Sequence, residues 1–196
     1  LTLLLVRSVI GQERYDDAIV LCQESTLLLN ADAFTFWKAQ AYRGQNEFEA
    51  VFSTLETLPK NSPFTPLGLR LTGRIEKNRG NLAEAEKAYD HFRKKYPSHE
   101  EAQQNLIDLI SIQLEQEKLS SAMKSMERLI DRFPHGETTD SVRLLLARNL
   151  MTTNNKKDLS LATELFRQLG DNEPTIPRYR IAALLDLSNL ERKAGR

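Results

Sequence analysis

The sequence predicts an all-α fold of repeated helical hairpins, and three observations support that prediction. Apolar residues recur at helical spacing over long stretches of the 196-residue chain. No stretch alternates apolar and polar residues over the length of a strand. Gly11, Gly44, Gly80 and Gly195 lie between the helical stretches, and all seven prolines can be placed at helix edges. Because these breaks recur along the chain, we expect the helices to come in pairs.

A pattern of three residues repeats with these breaks. It consists of a small anchor residue, a large apolar residue four positions later, and a proline twelve positions after the anchor. One segment has valine as its anchor, and the first segment fits weakly because asparagine replaces the proline. The anchors are separated by 33, 34, 37 and 40 positions. The five segments are Ala18/Cys22/Asn30, Val51/Leu55/Pro63, Ala85/Tyr89/Pro97, Ala122/Met126/Pro134 and Ala162/Phe166/Pro174.

Each member of this pattern has a physical role in a helical hairpin. The small anchor lets the two helices approach closely, and the large residue one turn later lies on the same face and fills the space beside it. The proline ends the second helix because it has no N–H to continue the helix. Pro66 and Pro177 are expected in the first turns of the helices that follow, where a missing N–H costs little.

The spacing of small residue, large residue and proline resembles that of the tetratricopeptide repeat (TPR) family. The stretches 12–18 and 80–85 are similar to its turn and to the start of its second helix. The first helices keep less of the family pattern, which survives in part at Leu69, Thr72 and Gly73 and at Tyr42. Trp37 lies two positions away from the tryptophan position of its unit.

The resemblance covers nearly the whole chain and implies a right-handed α-solenoid of antiparallel hairpins. It implies about five hairpins and one terminal helix in a single domain over residues 1–196, and the later units are expected to hold a few extra residues as longer helices or loops. Because the chain starts without methionine, we expect it to be part of a longer protein. The predicted units are 1–30, 31–63, 64–98, 99–135 and 136–174, followed by a helix at 177–194.

Two short stretches bear on where the protein works. Residues 95–98 and 132–136 are similar to the aromatic-proline loops of bacterial envelope assembly proteins of the TPR family. This similarity favours a bacterial origin, and it leaves the periplasm, the envelope and the cytoplasm open as locations. The apolar run at residues 1–6 is interpreted as part of an internal helix, because Arg7 ends it too early for a signal peptide.

The composition disfavours several classes of function. The 27 basic residues balance the 27 acidic residues, whereas a nucleic-acid-binding domain usually has a basic excess. No apolar run approaches the roughly 20 residues of a membrane span. The single cysteine, Cys22, is predicted to be a buried packing residue. His91, His99 and His135 do not have zinc-ligand spacing and are expected at the solvated surface, so we predict no metal, no cofactor and no enzymatic activity.

The resemblance also implies a binding groove, because the first helices of a TPR array line a concave face that binds extended peptides or partner helices. Within it, Arg70, Arg74 and Lys77 are spaced to put three cations on one face of a helix. These cations would attract an acidic segment or a free C-terminus. The alternative is that they pair with acids of a neighbouring unit, such as Asp108 or Glu115. The residues placed in the groove are Phe36, Gln40, Arg43, Arg70, Arg74, Lys77, Asn78, Ile107, Ser111, Leu114, Arg148, Met151 and Asn155.

These features predict a non-catalytic scaffold that binds a protein or peptide on its concave face. The alternative is an oligomerisation or regulatory segment of a larger envelope protein, enzyme or regulator. The lysine and asparagine set of the carboxylate-clamp TPR domains is not reproduced here. The apolar residues of the last helix that are expected to pack on the fifth hairpin are Ala182, Leu185, Leu187 and Leu190. The apolar ends of the chain, residues 1–6 and the last helix, are expected to promote self-association.

Overall fold

The computed structural model describes residues 2–25, 30–134, 136–153, 155–171 and 175–193. In these ranges there are eleven α-helices and no strand, which confirms the all-α class. Leu1, His135, Pro174, Ala194 and Gly195, which entered the predictions, lie outside the described residues. The helices are α1 (Thr2–Gly11), α2 (Tyr15–Ser25), α3 (Ala31–Gly44), α4 (Phe48–Glu56), α5 (Thr65–Asn78), α6 (Leu82–Lys95), α7 (Ala102–Glu115), α8 (Leu119–Arg132), α9 (Glu137–Thr152), α10 (Lys156–Asp171) and α11 (Pro177–Lys193).

The chain divides into two compact units, Leu1–His99 and Glu100–Arg196. The first unit holds three hairpins, α1/α2, α3/α4 and α5/α6, and the second holds α7/α8 and α9/α10 followed by α11. Within each unit the helices pack on their nearest and next-nearest neighbours in chain order. Packing of this kind is expected when each hairpin covers the apolar face of the next. A single domain over residues 1–196 stays a prediction.

The five anchor residues are all fully buried, as the hairpin argument requires. The large residue four positions later is buried in four hairpins, whereas Leu55 of the second hairpin is half-buried. The anchor pattern therefore identifies the contact between the two helices of each hairpin. The anchors are Ala18, Val51, Ala85, Ala122 and Ala162, and the buried partners are Cys22, Tyr89, Met126 and Phe166.

The first four hairpins turn in the same way. A residue with left-handed backbone conformation precedes each anchor by five positions, at Glu13 (φ 61°), Asn46 (φ 62°), Gly80 (φ 81°) and Glu117 (φ 57°). The next residue in each turn donates its N–H to the carbonyl five positions before it, over 2.8–3.1 Å. This arrangement satisfies carbonyls that would otherwise be left unpaired at the end of the first helix.

Prolines end the second helices, although one helix stops earlier than predicted. Pro97 and Pro134 follow closely after α6 and α8, whereas α4 ends at Glu56, well before Pro63. The reason is Pro59, whose ring would clash with the carbonyl of Leu55 if the helix continued. The prediction that Pro63 ends this helix is therefore wrong.

The remaining predictions about helix ends and lengths agree with the structure. Pro66 lies in the first turn of α5, and Pro177 is the first residue of α11. The extra residues of the fifth unit lengthen both of its helices, since α9 and α10 have 16 residues each.

Gly73 brings the two helices of the third hairpin into close contact. A Cβ atom at this position would lie 2.7 Å from two carbon atoms of the Tyr89 ring. Tyr89 is 1% exposed, so its ring lies within the core and cannot turn out into solvent without disrupting the packing. Gly73 therefore serves the close packing of these two helices.

Replacing Gly73 by alanine should destabilise the protein by about 1–3 kcal/mol, because overpacking outweighs the gain in helix propensity. Gly11 is the matched control, since a Cβ atom at that position would have no atom within 4 Å. Urea unfolding of both variants measures the effect. If Gly73→Ala were as stable as Gly11→Ala, the close-packing argument would be wrong.

Candidate functional site

Charge is distributed unevenly between the helices of the first unit. The first helices of its hairpins, α1, α3 and α5, carry six basic residues and two acidic ones. One of these acids, Glu76, is buried and is bonded to Asn81 (2.6 Å) and Arg79 (3.3 Å). The second helices α2 and α4 carry acidic residues and no basic residue, whereas α6 carries four basic and three acidic residues. The first helices of this unit are therefore positive and poor in acids, next to two acidic second helices.

Arginines of all three first helices are exposed, and we call Arg7, Arg43 and Arg74 the basic face. Arg43 and Arg74 form no ion pair with any residue in the described ranges. The guanidinium of Arg7 lies 5.1 Å from the centre of the Trp37 ring, which is a cation–π geometry. The face therefore presents arginines whose charge is not neutralised by acids of the same helices.

Arg70 and Lys77 flank the basic face on α5, and both are half-buried. Each already takes part in an interaction within the protein. Asn78 is exposed at the end of the same helix. Of the three cations that the sequence places on one side of α5, Arg74 is therefore the exposed one.

Two residues of α3 that were predicted to line the groove are directed largely into the protein interior. Phe36 is buried, with its ring stacked on Phe64 (5.6 Å between centres) and edge-on to Trp37 (5.7 Å). Gln40 is half-buried, and its Oε1 atom is buried without a hydrogen-bond partner in the described part of the chain. Phe36 is thus a packing residue of the core, with little surface to offer to a partner.

The predicted groove residues of the second unit are engaged within that unit. Ser111 donates a hydrogen bond to Glu115 (3.2 Å), and Arg148 forms an ion pair with Asp186 (2.7 Å). The Asn155 carboxamide oxygen accepts the N–H of Lys157 (2.9 Å) and caps the start of α10. The apolar members of this set pack against the core, namely Ile107, Leu114 and Met151.

Arg7 was missing from the predicted site although the sequence contained the signal for it. Arg7 precedes its anchor Ala18 by eleven positions, and Arg74 precedes Ala85 by the same distance. In repeated hairpins an equal distance from the anchor marks an equivalent position. Applying the repeat to the first hairpin would have identified this residue.

The cysteine and the histidines, which could take part in catalysis or metal binding, lie in the following positions. Cys22 is fully buried, which confirms its packing role. His91 is exposed, whereas His99 is half-buried with its ring edge-on to Phe92 (5.6 Å). In the described ranges no group of three histidine, cysteine, aspartate or glutamate side chains could hold a metal ion. None of the described helices has both the length and the apolar character that crossing a membrane would require.

Residues 69–181 match the model of the YfiO family, which is described as an outer membrane lipoprotein family. The match covers more than half of the chain. The chain belongs to the YfiO family. No curated protein matches this YfiO-family chain in sequence.

Solved structures similar to the YfiO-family chain are TPR-like repeat proteins. The repeats of a Podosopora anserina protein named after kinesin light chains superpose with a TM-score of 0.59 at 15% identity, covering 85% of this chain and 90% of that one. A single-substitution variant of these repeats gives 0.57 at 13% identity, covering 87% and 95%. The chain therefore has a TPR-type fold.

Burial of Cys22 has a measurable consequence, because it raises the pKa of the thiol from its ordinary 9.0 to about 11. Between these pH values the unfolded chain loses the thiol proton and the folded chain keeps it. The stability contributed by Cys22 should therefore fall as the pH rises from 9 to 11. Urea unfolding of the wild type and of Cys22→Ala should show a free-energy difference that shrinks over this range. A constant difference would contradict the assignment.

Proposed function

We propose that the chain is a non-catalytic scaffold that binds a protein partner on the basic face of its first unit. The partner would contribute an acidic segment or a free C-terminal carboxylate. The observation that carries the proposal is the exposure of Arg7, Arg43 and Arg74 on helices that are poor in acidic residues. The TPR-type fold supports it, because this fold commonly presents the first helices of its hairpins to partners.

The chemistry of arginine fits such a partner. A guanidinium can hold a carboxylate through two parallel hydrogen bonds, which lysine cannot do. Because the Arg43 and Arg74 side chains are exposed and lack ion pairs in the described ranges, a partner would not have to break an ion pair to reach them. Attraction between exposed charges also speeds association and weakens as salt screens it. We therefore expect binding that is selective for acidic segments and sensitive to salt.

Reversing the charge of the basic face tests the proposal. The double variant Arg43→Glu/Arg74→Glu should lose at least about tenfold in affinity for captured partners, since two attractive contacts become repulsive. The matched control is Lys124→Glu/Lys156→Glu, which changes the net charge equally at exposed positions outside this face. Quantitative pull-down from extracts of the source cells, at low and moderate salt, measures both variants.

The two variants separate a local effect from a general charge effect. Equal recovery of partners by the Arg43→Glu/Arg74→Glu variant and the wild type would remove the basic face from the proposal. Equal loss in both double variants would mean that net charge alone governs binding. Circular dichroism spectra that match the wild type would show that either variant is still folded.

Membership of the YfiO family favours a second proposal, which concerns the location of the protein. We propose that this chain is the protein-binding part of an outer membrane lipoprotein, as the family description suggests. Fractionation of cells that express the complete gene product should then recover it with the outer membrane. Recovery in the cytoplasmic fraction alone would contradict this location and would leave the proposal for the basic face unaffected.

Self-association through the apolar ends also stays a prediction. Leu4 near the start of the chain and Ile181 and Leu185 in α11 are exposed.

A further inference from the structure

A cavity of about 520 Å³ lies between α4, α5 and α6 in the first unit. Its wall is mainly apolar, and its volume falls in the range of pockets that bind small molecules or side chains. All three helices contribute to the lining, so the cavity belongs to the contact between the second and third hairpins. The apolar lining residues are Phe52, Leu55, Leu58, Leu69 and Ala88.

The cavity exists because α4 is short. The helix ends at Glu56, whereas α6 in the next hairpin continues for 14 residues, so α4 does not cover the full length of its neighbours. The chain then crosses the open end as a loop that begins with Thr57. Pro59 imposes this early end, and the space that another turn of α4 would fill remains open.

Hydrogen bonds fix the loop beside the cavity. The carbonyl of Pro59 accepts the N–H of Ser62 (2.9 Å) and the hydroxyl of Thr65 (2.8 Å). The Tyr96 hydroxyl donates to the carbonyl of Lys60 (3.1 Å), which ties the loop to the end of α6. These contacts fix the position of the loop that borders the cavity.

Arg79 stabilises the other end of the contact between the second and third hairpins, near the start of α4. Its guanidinium lies 5.5 Å from the ring centre of Phe48 and 5.9 Å from that of Phe52, and it pairs with Glu49 (3.3 Å) and Glu76 (3.3 Å). Arg79 therefore joins the second and third hairpins at the start of α4, and the loop joins them at the end of α4. The cavity lies between these two sets of contacts.

One acidic side chain at the rim of the cavity is available to pair with a cation of a bound molecule. Glu84 and Lys87 pair with each other (2.6 Å), so their charges cancel. The carboxylate of Glu76 is already held by Asn81 and Arg79. Glu56 is exposed and forms no ion pair with any residue that the structure describes. An occupant that carries a cation beside an apolar group would complement both the wall and Glu56.

We propose that this cavity is a second binding site, which takes a bulky apolar side chain of a protein partner while a neighbouring lysine or arginine of that partner pairs with Glu56. The inference rests on the proposed role of the chain as a protein-binding scaffold. It adds a site that selects a basic and apolar segment, in contrast to the acidic segment that the basic face selects.

The two sites lie on opposite sides of α5, so they can be tested separately. Thr65, Gly68 and Thr72 line the cavity along one side of the helix. Arg74 lies two residues beyond Thr72, which is about 200° around a helix of 3.6 residues per turn. A substitution at one site therefore leaves the side chains of the other in place.

Peptide titration followed by ¹H–¹⁵N chemical shifts tests the inference. The probes are two short blocked peptides that contain a central tryptophan flanked by two lysines or by two glutamates. The lysine peptide should shift resonances of the cavity lining and bind at least about tenfold more tightly there than the glutamate peptide. Thr72→Phe, which fills the cavity, should abolish these shifts, and Glu56→Lys should weaken binding about tenfold.

Two matched controls isolate the site. Ser53→Phe adds an aromatic side chain on the exposed side of α4, and Glu24→Lys reverses an exposed acid on α2. Both should bind the lysine peptide as the wild type does. Because Glu56 is exposed, Glu56→Lys keeps the test decisive even if Thr72→Phe does not fold.

Three outcomes would overturn the inference. These are a lysine peptide that leaves the cavity resonances unshifted, equal binding by both peptides, and a blocked tryptophan alone that binds as tightly as the lysine peptide. The proposal for the basic face fails on a different observation. It would be contradicted if the glutamate peptide caused no chemical-shift changes around Arg43 and Arg74. Each proposal can therefore fail without the other.

Discussion

Close contact between the two helices of each hairpin is the interaction on which the structure depends. It occurs at a fully buried anchor with a small side chain, and in the third hairpin Gly73 brings the Tyr89 ring against the backbone of the partner helix. A hairpin closed in this way still exposes apolar side chains along its flank, and the next hairpin covers them. The packing of helices on their neighbours in chain order follows from this local contact.

Because hairpins repeat, small departures from the repeat produce the features that a partner could use. A proline in place of a helix-forming residue at position 59 shortens α4 and leaves a cavity beside α5 and α6. Arginines on the first helices of the first unit, where acids are scarce, leave one set of surfaces positive. Neither feature disturbs the anchors, so recognition surfaces can vary while the hairpins keep the same internal contact.

Much of the fold could be predicted because its determinants are local. The anchor pattern located the hairpins, and Pro66 and Pro177 located helix starts, since a proline acts on its own turn of helix. The site was less predictable. Phe36 was placed in a groove, but Phe64 from the following hairpin stacks on its ring. Arg148 was also placed there, but Asp186 of α11 neutralises it at 2.7 Å. For both residues the deciding partner is distant in sequence, 28 positions away for Phe36 and 38 for Arg148.

The sequence by itself determined the helical class, the pairing of helices into hairpins and the burial of the anchors, because spacing along a helix fixes which residues share a face. Tertiary structure alone decided which candidate side chains remain available to a partner. That outcome depends on what the next hairpin places against them, as at Phe36, Arg74 and the cavity beside Glu56, and local spacing does not encode these contacts.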